Sequence, residues 1–133
     1  FLTCAPDALE AARRVAEHPI IVETGPEVLT GSTRMKAGTA TKMVLNMIST
    51  TVMVRLGKAH ENLMVDVRAT NEKLTDRAAR IIGELAGVSR GRAFALLEEA
   101  GGSLKVGVVM ERRRIGRAEA EALLSRHEGR LRD

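Results

Sequence analysis

Aromatic residues are almost missing from this 133-residue chain: there is no tyrosine or tryptophan, and the two phenylalanines are Phe1 and Phe94. A core must therefore be assembled from Leu, Ile, Val, Met and Ala, a palette that suits packed helices. The same scarcity removes the stacking platform that single-stranded nucleic acid requires. One cysteine, Cys4, excludes an intramolecular disulfide and fits a reducing cytoplasm. His18, His60 and His127 are widely separated and have no ligand-like spacing with Cys4, so no metal site is expected. Neither a dinucleotide fingerprint nor a Walker loop occurs. The most apolar stretch, Met43 to Leu56, is interrupted by Asn46 and Arg55 and is shorter than the roughly 20 residues a bilayer demands, so no membrane partner is expected. No basic segment followed by an apolar run opens the chain, so no secretory signal is expected either.

What is present is a hydrophobic fraction of 44% with 29% charged residues, sufficient for a real core under a soluble surface. Residues 1–66 carry seven cations and seven anions, whereas residues 67–133 carry fourteen against ten, so the net charge of +4 lies wholly in the second half. Interleaved acids make that half read as a solvated helical surface, with no nucleic-acid partner. The Arg112-Arg113-Arg114 run is read the same way.

The chain begins Phe1-Leu2-Thr3-Cys4, which reads as the end of a buried strand, and Ala5-Pro6-Asp7 turns it. An orphan strand there leads us to expect the C-terminal part of a longer protein. Asp7 to Glu10 has the form of a capping box and predicts a short helix to about Glu17, stopped by His18-Pro19. Ile20-Ile21-Val22 predicts a second buried strand, giving a βαβ-like tail of a parallel sheet. A long helix is expected from about Arg34 to Leu56. Met43, Val44, Met47, Ile48 and Thr51 form one stripe, with Leu45, Val52 and Leu56 on another side, so this helix is expected to be buried between a sheet and a second surface. The run Leu63-Met64-Val65 is expected to lie against this first part, within a linking stretch from Lys58 to Arg68. Beyond it, punctuation at Thr70, Gly87, Ser89, Gly101-Gly102-Ser103 and Gly116 predicts four short helices in a bundle. Their expected inward positions include Ala78, Ile81, Ile82, Phe94, Leu97, Leu104, Val108 and Leu124. The fold class expected is an α/β parallel-sheet tail with a long helix, followed by an all-α bundle, mostly helical overall.

The sharpest chemical feature is Gly25 to Lys42, GPEVLTGSTRMKAGTATK. A turn leads into a hydroxyl-rich loop and then directly into the long helix. Such a junction can aim unpaired backbone N–H groups and hydroxyls at an anion. Arg34 and Lys36 at the helix start oppose its macrodipole, which makes sense beside a bound anion. Thr30, Ser32, Thr33, Arg34 and Lys36 are therefore candidate ligand-binding residues. Glu27 either orients a sugar hydroxyl or a cation, or bonds nearby backbone N–H groups and holds the loop's shape. Helix capping and ordinary surface charge are the plainer account of the same residues.

That run, followed by Lys42 to Thr50, resembles the signature of N-acetylmuramic acid 6-phosphate etherases and the related glucokinase regulatory proteins. Met53 to Leu74 and Gly87 to Lys105 resemble the bacterial etherases more. The resemblance implies that residues 1–66 are the C-terminal part of a sugar isomerase (SIS) domain. Residues 67–133 would then be a small helical domain like ubiquitin-associated folds. It implies a cytoplasmic homodimer acting as a carbon–oxygen lyase without cofactor or metal. The family cleaves the D-lactyl ether of N-acetylmuramic acid 6-phosphate, giving N-acetylglucosamine 6-phosphate and D-lactate in cell-wall recycling. Its chemistry is an elimination that needs a base and an acid with separated pKa values. In the family these are two glutamates of an earlier segment that nothing here matches. No catalytic residue is therefore assigned, and the chain alone is expected to be inactive. Glu27, Thr30, Ser32, Thr33, Arg34 and Lys36 remain the residues expected at the sugar-phosphate substrate. The alternative is a non-catalytic sugar-phosphate-binding protein of the glucokinase-regulator type. A third reading is an interaction module. The chain departs from the family at Arg90-Gly91-Arg92 and Glu111 to Arg114, both in the helical tail.

Overall fold

A computed structural model describes residues 1–67 and 69–131. Arg68, which closes the linking stretch read from the sequence, and the last two residues, Arg132 and Asp133, lie outside the described residues. Among the described residues the chain is mostly helical, 58%, with six α-helices and two minute sheets. It divides into two compact units, Phe1–Thr51 and Val52–Asp133, the division falling inside the longest helix.

In the first unit, β1 (Leu2–Thr3) pairs in parallel with β2 (Ile20–Ile21), with Leu2 opposite Ile20 and Thr3 opposite Ile21. The crossover between them is a 3-10 turn at Pro6–Ala8 and α1 (Leu9–Val15). The expected parallel βαβ connection is present, but the capping box is not. Asp7 sits inside the 3-10 turn, whose cap residue, Ala5, has no side-chain bond. The strands are half-buried rather than buried, each being two residues long in a two-stranded sheet. Cys4 fixes the start of the next helix: its Sγ lies 3.5 Å from the Ala37 carbonyl and 3.6 Å from Thr41 Oγ1.

The long helix, α2, runs Lys36–Arg55. It begins two residues later than expected, because Thr33 to Met35 form a turn in which the Met35 amide donates to the Ser32 carbonyl. The expectation that α2 is buried fails for the described residues. No residue of α2 is buried, and Met43, Leu45, Met47, Ile48, Val52, Met53 and Val54 are exposed. Apolar residues on several sides do predict more than one packing surface. Nothing among the described residues supplies those surfaces.

The second unit is organised by a bundle. After α2, Gly57 takes φ +67 and the chain forms a hairpin of β3 (Ala59–His60) and β4 (Leu63–Met64). Val65, next in line, is buried in the bundle core and not against the first part of the chain as expected. Its amide bonds the Lys58 carbonyl, which turns its side chain toward the helices. The bundle comprises α3 (Glu72–Ala86), α4 (Arg90–Glu99), α5 (Leu104–Arg113) and α6 (Arg117–Arg126). α3, α4 and α5 pack on one another, and α6 packs on α5.

Capping chemistry sets these helix starts. Asn71 Oδ1 accepts from the Leu74 amide, so Asn71 and not Thr70 caps α3. Ser89 and Ser103 cap α4 and α5 as expected, and Gly87 ends α3 in the left-handed conformation. Each such cap contributes about 1 kcal/mol. Ile82, Leu96, Leu104, Val65 and Val108 are the largest fully buried side chains. Burial of each stabilises by about 1.5–3 kcal/mol. Phe94, expected inside, is only half-buried, and its ring lies 5.2 Å from the Arg90 guanidinium carbon. Leu96 takes the interior place on α4 instead.

The C-terminal stretch folds back over this unit. Arg130 donates to the Arg55 carbonyl at 2.8 Å, Lys105 donates to the Gly129 carbonyl at 2.7 Å, and His60 Nδ1 lies 3.2 Å from the Leu131 carbonyl. Among the described residues, no helix is long and apolar enough to cross a membrane.

Candidate functional site

The loop between Gly25 and α2 is built around one carboxylate. Glu27 accepts hydrogen bonds from the Lys36 amide at 2.9 and 3.1 Å to its two oxygens, and from the Ala37 amide at 3.0 Å. Those are donors at the start of α2 that have no partner within the helix. Glu27 therefore caps the helix from nine residues upstream, a relation no local capping pattern reveals. Negative charge at a helix N-terminus is favourable, and the bonds hold the Glu27 carboxyl below its ordinary value of 4.5. The Ala37 bond is the largest cause, then the Lys36 bond, with the Lys36 charge assisting and partial burial opposing.

Of the two readings of Glu27, the structure displays the loop-holding one. The Lys36 and Ala37 amides are thus occupied by the chain's own carboxylate. The Gly38 amide bonds the Thr33 carbonyl at 2.8 Å, and the Thr39 amide bonds the Met35 carbonyl at 3.1 Å. Two glycines make this path possible. Gly25 at φ +65 and Gly31 at φ +82 hold backbone conformations that side chains disfavour.

Lys36 turns its side chain back to the loop, with Nζ donating to the Pro26 carbonyl at 3.0 Å. It is thus a brace across the turn as well as a surface cation. Thr30, Thr33, Arg34 and Lys36 are exposed and Ser32 is half-buried. Among the described residues, the hydroxyls of Thr30, Ser32 and Thr33 and the Arg34 guanidinium make no hydrogen bond or ion pair. Arg34 lies in the turn before α2 rather than in its first turn. The loop therefore brings Glu27 and Lys36 together at the helix start and leaves three hydroxyls and one guanidinium open on the same short segment. Chemically, such a set can meet a phosphate or sugar oxygen with neutral donors and one cation.

Two depressions, of about 930 and about 610 Å³, lie in the second unit, and no residue of the loop lines either. Among the described residues, no three His, Cys, Asp or Glu side chains are grouped as a metal site.

No protein-family model matches the chain. Relatives are nonetheless plain. The N-acetylmuramic acid 6-phosphate etherase of Synechococcus sp. (strain CC9902) is 55% identical over 131 residues, covering 98% of this chain and 41% of that protein. That of Serratia proteamaculans (strain 568) is 50% identical over 132 residues, covering 98% of this chain and 43% of that protein. That of Halalkalibacterium halodurans is 62% identical over 99 residues, 74% of this chain and 33% of that protein. The chain is homologous to the C-terminal part of N-acetylmuramic acid 6-phosphate etherases, at about 50% identity over nearly its whole length. It spans about 41% of the length of the curated relatives it matches.

Proposed function

We propose that this chain is the C-terminal portion of an N-acetylmuramic acid 6-phosphate etherase. In that reading residues 1–66 complete a SIS domain and residues 67–133 form its ubiquitin-associated-like helical tail. The whole enzyme, a cytoplasmic homodimer, cleaves the D-lactyl ether to give N-acetylglucosamine 6-phosphate and D-lactate in cell-wall recycling. The observation that carries it is identity of about half the residues along nearly the entire chain.

Within that enzyme the chain supplies a binding loop and no acid–base pair. Thr30, Ser32, Thr33 and Arg34, open and without partners among the described residues, are the groups offered to the sugar phosphate. Glu27 and Lys36 act by holding the loop against α2. A phosphate at the Lys36 and Ala37 amides would have to displace the Glu27 carboxylate, so hydroxyl and guanidinium contacts are the better match. The uncovered apolar sides of α2 suit the remaining enzyme or a second subunit.

A chimera tests the assignment. Residues 1–133 replace the corresponding segment of the Serratia proteamaculans relative, and D-lactate release from N-acetylmuramic acid 6-phosphate is measured. Activity is expected from the chimera and none from the isolated chain. A folded but inactive chimera, or lactate released by the chain alone, overturns the reading.

A further inference from the structure

α3 carries Lys73, Arg77 and Arg80 along one stripe, since residues three and four apart share a helix face. All three are exposed, and among the described residues none has an ion pair or a side-chain hydrogen bond. Several other cations of this unit are answered by acids. Arg90 meets Asp76 at 2.6 Å, Arg92 meets Glu99 at 2.8 Å and Glu111 at 2.9 Å, and Arg117 meets Glu121 at 2.7 Å. Asp76, the acid next to Arg77, is thereby taken by Arg90.

The stripe also works against its own helix. Lys73 is the second residue of α3, where the macrodipole disfavours positive charge, and like charges four apart repel. A negatively charged counterpart would relieve both of these penalties. The three cations border the depression of about 930 Å³, whose other lining includes Asn62 and Met64 of the hairpin region and Leu74 and Ile81 of α3. Met64 is 49% exposed. The surface thus combines a cationic row with one exposed apolar side chain, Met64.

We propose that this face of α3 docks an acidic, amphipathic helical segment of a partner protein. Carboxylates spaced four and three apart would meet Lys73, Arg77 and Arg80, and an aliphatic side chain would cover Met64. A nucleic acid fits less well, because Asp76 and Glu84 also line the depression and no aromatic ring does. The proposal concerns the helical unit and is independent of the etherase reading.

The test uses the full chain and a fluorescein-labelled helical peptide with Glu at matching spacing and Leu between. Fluorescence anisotropy is expected to show binding that weakens about tenfold when salt rises from about 50 to about 300 mM. Arg77→Glu with Arg80→Glu is expected to weaken it at least about tenfold. Arg77→Gln with Arg80→Gln serves if the reversal disturbs folding by circular dichroism. Arg14→Glu with Arg126→Glu makes the same change in net charge elsewhere and is expected to leave binding intact. Equal loss in that control, equal binding of a peptide with Gln for Glu, or tighter binding of oligouridylate overturns the proposal.

Discussion

Gly107 of α5 lies so close to Leu96 of α4 that a Cβ added to it would stand 3.3 Å from the Leu96 carbonyl oxygen and 3.3 Å from Ile82 Cδ1. Absence of a side chain is what lets these two helices approach. Gly91, also helical, has nothing within 4 Å of such a Cβ. Replacing glycine by alanine in a helix gains up to about 1 kcal/mol from propensity. Overpacking against a backbone carbonyl costs about 1–3 kcal/mol. Urea denaturation is therefore expected to show Gly91→Ala stabilising and Gly107→Ala destabilising. The same sign for both would refute the packing account.

Arg114 closes α5 with φ +55 and ψ +45, a left-handed conformation that glycine adopts more cheaply. Arg114→Gly is expected to raise stability by about 1 kcal/mol, read as a higher thermal midpoint. An unchanged or lower midpoint would show that the arginine contributes contacts outweighing its backbone strain.

Acid should loosen the start of α2. The Glu27 carboxyl is held below 4.5 in the folded chain by the Ala37 and Lys36 amides. A carboxyl depressed on folding contributes stability that is complete above the unfolded value and is lost as pH falls through the folded one. Hydrogen exchange at Lys36 and Ala37 is expected to accelerate, relative to other helix amides, as pH drops below 4.5. Glu27→Ala should remove that dependence and speed exchange at neutral pH. A wild-type profile parallel to the rest of the helix would exclude the cap.

In the full-length Serratia proteamaculans relative, substitutions at the positions aligned with Ser32 and Arg34 test the proposed binding role of the loop. Alanine at both is expected to raise KM about tenfold or more, because hydrogen bonds to a charged group contribute about 1.5–3 kcal/mol. Alanine at the Glu27 position should act differently, lowering stability along with activity. Unchanged kinetics for the first pair would remove the loop from the binding site.

Legibility from sequence followed the range of the forces involved. Local chemistry was readable: Ser89, Ser103 and Gly87 act where their residue types suggested, and the parallel pairing of Leu2–Thr3 with Ile20–Ile21 came from β-branched runs flanking a helical pattern. Relations across longer separations were not. Glu27 reaches the α2 amides over nine residues, and Val65 enters a core built from later helices; the start of α3 was a local exception, where Asn71 and not its neighbour Thr70 holds the Leu74 amide. The apolar sides of α2 were readable as packing surfaces, but a sequence does not state what packs there. In the loop, hydroxyls and cations could be picked out by type, whereas the division between bracing residues and open ones needed coordinates.

The exposed helix also carries its own chemical reporters. Met43 and Met47 are each 59% exposed and Met53 is 41% exposed, whereas Met110 packs against the cluster of Ala100, Val106, Ala120 and Leu124. Thioether oxidation follows solvent access. Brief peroxide treatment should therefore leave a sulfoxide footprint along α2, with Met110 as the shielded internal standard, and fading of that footprint would map the sides of the helix that any larger assembly covers.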